Sequence, residues 1–318
     1  MRQILVVTLS NLGDVIMTTP VIMALATQFP SAKLTVLAGP KASALLEKSP
    51  HIHRVVVYDK KASWREKGRL LRELRKDRYD YAVDLRNTPI PWLLRCDEHS
   101  PLFRHFRKTN MRERHWEILE MMGFDFPNPP VFQFFDEVNE RTALEKLQAR
   151  GIPGTNGWIV VAPGAASEKK RWPVESFQAV LSALAARTTR AIVLVGAPDE
   201  RPITEAVARG LSGTAAILCG ETTINETAAL LSKAALVLAN DSAIMHLGFE
   251  LGAPAVGIFG PTDHEKYGHA GQRFRIAFAD ASTCSCNTRQ LPYHERSCFH
   301  GLQTEKVLQL CWELLDGQ

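Results

Sequence analysis

What this chain of 318 residues lacks narrows its class before any motif is read. No apolar run approaches the roughly 18–20 residues that a membrane-spanning helix needs. The opening Met1-Arg2-Gln3-Ile4-Leu5-Val6-Val7 is too short an apolar run for a signal peptide, and Asn11 and Asp14 interrupt the residues after it. Both absences predict a cytoplasmic protein. Neither half carries G-x-G-x-x-G after its first strand-like run, and there is no P-loop, which argues against a dinucleotide dehydrogenase and a P-loop kinase. Cysteines number only six, with Cys96 and Cys219 isolated and Cys284, Cys286, Cys298 and Cys311 near the C-terminus, among them His294 and His300. Disulfides are not expected in a large cytosolic chain. C-x-C followed by eleven residues and a further Cys is not a standard zinc spacing. The sequence leaves open whether Cys284, Cys286 and Cys298 hold a metal, and Cys311 falls at an apolar position of the last helix.

Disorder is excluded by a hydrophobic content of 45% against 23% charged residues. The length suits about two domains. Charge is unevenly distributed: residues 1–154 carry 24 Lys/Arg against 18 Asp/Glu, and residues 54–114 alone carry 17 against 9. A basic N-terminal half argues for an anionic partner, whether phosphorylated glycan, membrane surface or nucleic acid.

Short β-branched runs alternate with amphipathic stretches. Ile4–Leu9, Lys33–Ala38, Arg54–Tyr58 and Tyr79–Leu85 read as strands, with helices between them, and this βα alternation predicts a parallel sheet. Pro20 either occupies the first turn of a helix capped by Thr18 or Thr19, or kinks one begun near Asp14. The segment 60–77 reads as one strongly charged helix with Leu70, Leu71 and Leu74 inward. From Pro89 to Asn110 the pattern is lost in a basic loop region. Gly151-Ile152-Pro153-Gly154 marks the expected boundary between domains 1–153 and 154–318. The same grammar then restarts at Trp158–Ala162. The final helix, 304–315, is amphipathic and needs a packing partner, which is expected to be the first domain.

In the second half, Ala234–Asp263 reads as strand, polar turn, helix, strand, polar turn. Its polar residues lie at the carboxyl ends of strands, where open α/β sheets bind ligands. Asp241 and Ser242 can cap the helix, whose amides would then face a phosphate.

Four segments together resemble glycosyltransferase family 9, the lipopolysaccharide heptosyltransferases. They are Asn11-Leu12-Gly13-Asp14-Val15-Ile16 with Thr19-Pro20; Pro163-Gly164-Ala165 with Lys170-Arg171-Trp172-Pro173; Gly196-Ala197-Pro198-Asp199-Glu200; and Asn240-Asp241-Ser242-Ala243-Ile244-Met245-His246 through Phe259-Gly260-Pro261-Thr262-Asp263. The resemblance implies a GT-B fold: α/β, with two Rossmann-like domains facing each other across a cleft and the donor held mainly by the C-terminal one. It implies inverting, metal-independent transfer of heptose from ADP-heptose to an inner-core sugar of lipopolysaccharide, with no cofactor beyond the donor. Asp14 is then the base and Lys170 the cation meeting the leaving diphosphate. Glu200 is the ribose ligand, and Asp241, Ser242, Ala243, His246 and Asp263 complete the donor site. The family block commonly reads Asn-Asp-Thr-Gly-Pro-Met-His, and Ser242-Ala243-Ile244 departs from it, with an added methyl where a glycine would give conformational freedom.

Arg104, Arg107, Lys108 and Arg112 are the acceptor-side candidates, since guanidinium forks suit the carboxylates and phosphates of a lipopolysaccharide core. Peripheral contact with the inner membrane is a further expectation, and a nucleic-acid partner is not, because no recognition motif accompanies the basic half. Two alternatives stay open: a related transferase with another nucleotide sugar or a protein acceptor, and a catalytically silent sugar-nucleotide or glycan binder.

Overall fold

The computed structural model describes residues 1–8, 11–154, 157–211, 215–269, 271–279, 299 and 301–317. Internal contacts divide the chain into two compact units, Met1–Phe134 and Phe135–Gln318.

The first unit runs β1 (Gln3–Val7), α1 (Leu12–Ile16), α2 (Thr19–Gln28), β2 (Lys33–Ala38), α3 (Pro40–Leu46), β3 (Arg54–Val57), α4 (Trp64–Leu74), β4 (Arg78–Asp84), β5 (Arg95–His99) and α5 (Met111–Met121). Its strands lie in the order β3-β2-β1-β4-β5, and every pairing is parallel. Residues Ile4 to Val7 are wholly buried, as a central strand covered on both faces requires. The alternation that sequence patterning predicts is present, with one addition. β5, Arg-Cys-Asp-Glu-His, falls in the stretch where the pattern disappears. It is an edge strand, and charged side chains there leave no hydrophobic signature while guarding the open edge.

Pro20 lies in the first turn of α2, with Thr18 as its N-cap. Neither threonine caps through its side chain. The Thr18 and Thr19 hydroxyls donate backwards to the carbonyls of Val15 (2.6 Å) and Ile16 (2.7 Å), closing α1 as a separate short helix. α4 is shorter than its charge run suggests, because Ser63 and Glu66 form a reciprocal capping box that starts it at Trp64.

The second unit runs α6 (Glu137–Gln148), β6 (Ile159–Ala162), α7 (Val174–Arg187), β7 (Ile192–Leu194), α8 (Arg201–Ala208), β8 (Ala215–Ile217), α9 (Ile224–Ser232), β9 (Leu236–Asn240), α10 (Ala243–Glu250), β10 (Ala255–Phe259), α11 (His264–Tyr267), β11 (Phe274–Phe278) and α12 (Thr304–Asp316). Its sheet is also parallel, in the order β11-β10-β9-β6-β7-β8. Counted from β6, that is the 3-2-1-4-5-6 order of the Rossmann fold.

The compact units divide at Phe134/Phe135, ahead of the Gly-Pro cluster at 151–154. The helix between them, α6, belongs with the second unit: Lys146 Nζ donates to Glu226 at 2.6 Å, and Lys233 pairs with Glu140 at 2.7 Å. α12 packs on the core of the second unit. Its Val307, Cys311 and Leu314 are buried in that core, and Arg187 lies over the Trp312 ring. Cys311 holds the apolar position its spacing suggests, and burial alone pushes its thiol up to about 12.

Candidate functional site

In a doubly wound sheet, ligands bind beyond the carboxyl ends of the strands where the order reverses. In the second unit that point lies between β6 and β9, and the turns after these strands carry Pro163-Gly164 and Asn240-Asp241. The wholly buried Asn240 ties them together. Its Nδ2 donates to the Pro163 carbonyl at 2.7 Å, and its Oδ1 accepts from the Trp172 amide at 3.1 Å. Trp172 is itself buried and packs edge-on against Phe177, with ring centroids 5.2 Å apart. The loop between β6 and α7 is thus pinned at both ends, and Lys170 sits on it in a short 3-10 turn, Glu168–Lys170.

From there Lys170 Nζ donates to Asp241 Oδ2 at 2.7 Å. His246 Nε2 lies 3.7 Å from Asp241 Oδ1. Asp241 and His246 are buried, whereas the Lys170 side chain keeps 35% of its exposure. Lysine, aspartate and histidine, separated in sequence, therefore form one polar cluster at the reversal point. Asp241 does not cap the following helix. Ser242 holds the N-cap position of α10 with extended backbone (φ −149°), and its side chain makes no capping bond. The Ser242 hydroxyl oxygen is buried and has no hydrogen-bond partner among the described residues. Ala243 begins the helix, so its methyl meets no left-handed backbone requirement. The Ser242-Ala243-Ile244 departure leaves the helix terminus intact.

Glu200 closes the 3-10 turn before α8, and its Oε2 accepts from the Ala197 amide at 2.8 Å. Two glycines make room for it. A Cβ on Gly164 would overlap the Glu200 carboxylate, and one on Gly196 would come within 2.8 Å of Oε2. The motif glycines after β6 and β7 thus both leave room for the same acidic side chain, and Gly196 also for the Cys219 thiol, which a Cβ would approach to 3.0 Å. Asp263 is occupied as the N-cap of α11, accepting from the amides of Glu265 (3.0 Å) and Lys266 (3.1 Å).

In the first unit the order reverses between β1 and β4. Asp14 lies in the first turn of α1, half-buried, and its carboxylate has no hydrogen-bond or ion-pair partner among the described residues. Asn11, not Asp14, is the N-cap. α1 is held by α5: buried His115 sits with Nδ1 3.3 Å from the Met17 carbonyl at the end of α1. Burial, seconded by the positive charges of Arg86 and Arg104, pushes the His115 imidazole down to about 4, against the pull of the Met17 carbonyl. Neutral His115 therefore donates from Nδ1. At the end of β4, buried Asp84 accepts from the Arg86 amide (2.7 Å) and the Thr88 hydroxyl (2.9 Å), shaping a turn that carries Asn87 at φ 59°. Burial raises the Asp84 carboxyl above the usual range despite these bonds.

The basic acceptor-side residues are more internally engaged than their spacing suggests. Arg104 donates to the Pro101 carbonyl (2.6 Å) and the Ser100 hydroxyl (3.2 Å). Arg107 pairs with Glu117 (3.0 Å) and Glu120 (2.7 Å) on α5. The Arg107 and Lys108 amides also donate to Glu117. Burial opposes charge on Glu117, but these amides and the Arg107 guanidinium outweigh it and hold its carboxyl below the usual range. Glu117 is thus the anchor of this segment, a role its sequence position does not disclose. The Lys108 ammonium has no partner among the described residues, and Arg112 is half-buried in the first turn of α5. Cys284, Cys286 and Cys298 lie outside the described residues.

Against known families, residues 102–299 match the model of glycosyltransferase family 9 (heptosyltransferase). The chain is 28% identical over 280 residues to lipopolysaccharide heptosyltransferase 3 of Escherichia coli, covering 79% of this chain and 82% of that protein. Among solved structures it is similar to a family 9 glycosyl transferase from Veillonella parvula, with a TM-score of 0.84 and 22% identity over 100% of this chain and 98% of the other. It is also similar to the E. coli ADP-heptose lps heptosyltransferase II, with a TM-score of 0.76 and 20% identity, covering 100% and 99% of the two chains. The two parallel-sheet units and these neighbours make the fold GT-B.

Proposed function

The chain belongs to glycosyltransferase family 9, and we propose that it transfers heptose from ADP-heptose to an inner-core sugar of lipopolysaccharide, with inversion and without a metal. The observation that carries this reading is the Lys170–Asp241–His246 cluster beside the uncapped N-terminus of α10. A nucleoside diphosphate leaving group needs positive charge. Lys170 and the first-turn amides of α10 supply it, since such helix ends favour phosphate. Asp241 orients Lys170, and the buried Ser242 hydroxyl gains a partner in a phosphate oxygen.

In this reading Glu200, held between two glycines, accepts from the ribose hydroxyls, and His246 and Asp263 stand on the sugar side. Asp14 takes the proton of the acceptor hydroxyl as that oxygen attacks the anomeric carbon and the bond to the diphosphate breaks. With no partner among the described residues, its carboxylate is open for this. The anionic core meets the basic segment with Arg104, Arg107, Lys108 and Arg112, and Lys108 is its readiest contact. No bound cofactor is called for. The acceptor is lipid-held, so the enzyme works at the cytoplasmic face of the inner membrane as a peripheral protein. Consistent with that, no helix among the described residues is long and apolar enough to cross a membrane.

Thermal-shift measurements with ADP, UDP, GDP and NAD test the donor side: ADP should stabilise the protein and the others should not. Stabilisation by UDP or GDP in place of ADP would overturn the donor, and silence toward all four would overturn the transferase reading. Product formation from ADP-heptose with heptose-free core acceptor, undiminished by EDTA, tests the rest.

A further inference from the structure

α4 presents an unusual outer face. Leu74 is buried and Leu70 packs on the core of the first unit, which fixes the opposite side of the helix toward solvent. At about 3.6 residues per turn, that side carries Arg65, Arg69 and Arg72, spaced i, i+4 and i+7, and Lys76 continues the line in the next turn. All four are exposed, and none forms an ion pair among the described residues. The acids of the helix are drawn aside. Glu66 is used in the capping box with Ser63, and Glu73 lies 3.8 Å from Arg54. At the N-terminal end stands Trp64, with 86% of its surface exposed. Lys67 Nζ lies 5.2 Å from the centre of the Trp64 ring, but most of the indole is left in water, and the cations of the row repel one another.

We propose that this face of α4 docks on an anionic phospholipid bilayer, a proposal that rests on the reading of a membrane-held acceptor. The arginines and Lys76 meet headgroup phosphates, and Trp64 enters the interfacial region, where indoles partition favourably. A nucleic acid would also meet the cations. α4 carries a single aromatic residue, Trp64 at its start, and none between the arginines of the row, which matches a flat interface better than a series of stacking bases.

The test is sedimentation of the full chain with phosphatidylcholine vesicles with and without phosphatidylglycerol. The wild type should pellet only with the anionic vesicles and be released by salt. Arg65→Glu/Arg69→Glu/Arg72→Glu should lower the partition at least about tenfold, while Arg209→Glu, an exposed charge change in the second unit, should leave it unchanged. Quenching of tryptophan fluorescence by brominated acyl chains should drop in Trp64→Phe. Equal pelleting of the triple variant and wild type overturns the proposal. So does a wild type that ignores vesicles while a single-stranded oligonucleotide retains it. An ADP thermal shift on the same samples separates this outcome from failure of the transferase reading.

Discussion

Lys170 donates to a carboxylate 71 residues further along the chain, Asp241, at 2.7 Å. One partner is buried and the other reaches solvent, so the pair is unequal: Asp241 depends on Lys170 for its charge balance more than the reverse. Lys170→Ala should therefore cost stability, about 1–3 kcal/mol from an uncompensated buried carboxylate, as well as activity. Lys170→Ala/Asp241→Asn should recover most of the stability without recovering turnover. Urea midpoints and initial rates on the three proteins check this. Recovery of both together would make the pair purely structural.

The Asp14 carboxylate has no partner to lose among the described residues. Asp14→Asn should reduce turnover by about 10²–10⁴-fold with the melting temperature and the ADP-induced thermal shift nearly unchanged. A variant that turns over normally would remove Asp14 from its role as base.

Gly164 tests the ribose ligand indirectly. A methyl there displaces the Glu200 carboxylate, the far end of a flexible side chain whose one hydrogen bond among the described residues is to the Ala197 amide, so the fold should yield at little cost. Gly164→Ala should thus keep nearly full stability yet bind ADP at least about tenfold more weakly, the loss expected for a displaced charged hydrogen-bond acceptor. Calorimetric titration with ADP measures it. Unchanged affinity would free Glu200 from the donor site.

His115 gives a pH signature. Its folded-state value, about 4, lies below the ordinary 6.5. The unfolded chain therefore binds a proton that the folded chain refuses, and stability falls as pH drops from 6.5 toward 4. The contribution of this one residue across that window is about 3 kcal/mol. His115→Gln should be less sensitive to acidification between pH 7 and pH 5 than the wild type, as read by urea midpoints. Parallel curves would show that other groups govern the acid response.

The legible part of the fold is the part whose burial is symmetrical. β1, β2, β6 and β9 are covered on both faces and write themselves as continuous apolar runs. β5 lies at an edge and writes itself as charge, so it passes for loop. At the site, Asp14, Lys170, Glu200 and Asp241 could be singled out by motif and by their places after strands. Their engagements could not. Asp241 looks like a helix cap and is a partner of Lys170, because a cap and an ion pair use the same side chain and only distance separates them. Arg107 looks like a ligand and pairs with Glu117, whose position ten residues on gave no hint that the two meet.

The Asn240 amide has one donating and one accepting edge, and both are committed: the first to Pro163, the second to Trp172. Aspartate would keep the acceptor and set a second oxygen against the Pro163 carbonyl. Leucine would strand both loops. The three segments are therefore a single exchangeable part. A 163–172 loop grafted into a relative to alter its choice of nucleotide sugar would seat correctly only on a strand ending in the same carboxamide, and swapping the loop alone would transplant the charges without the scaffold that aims them.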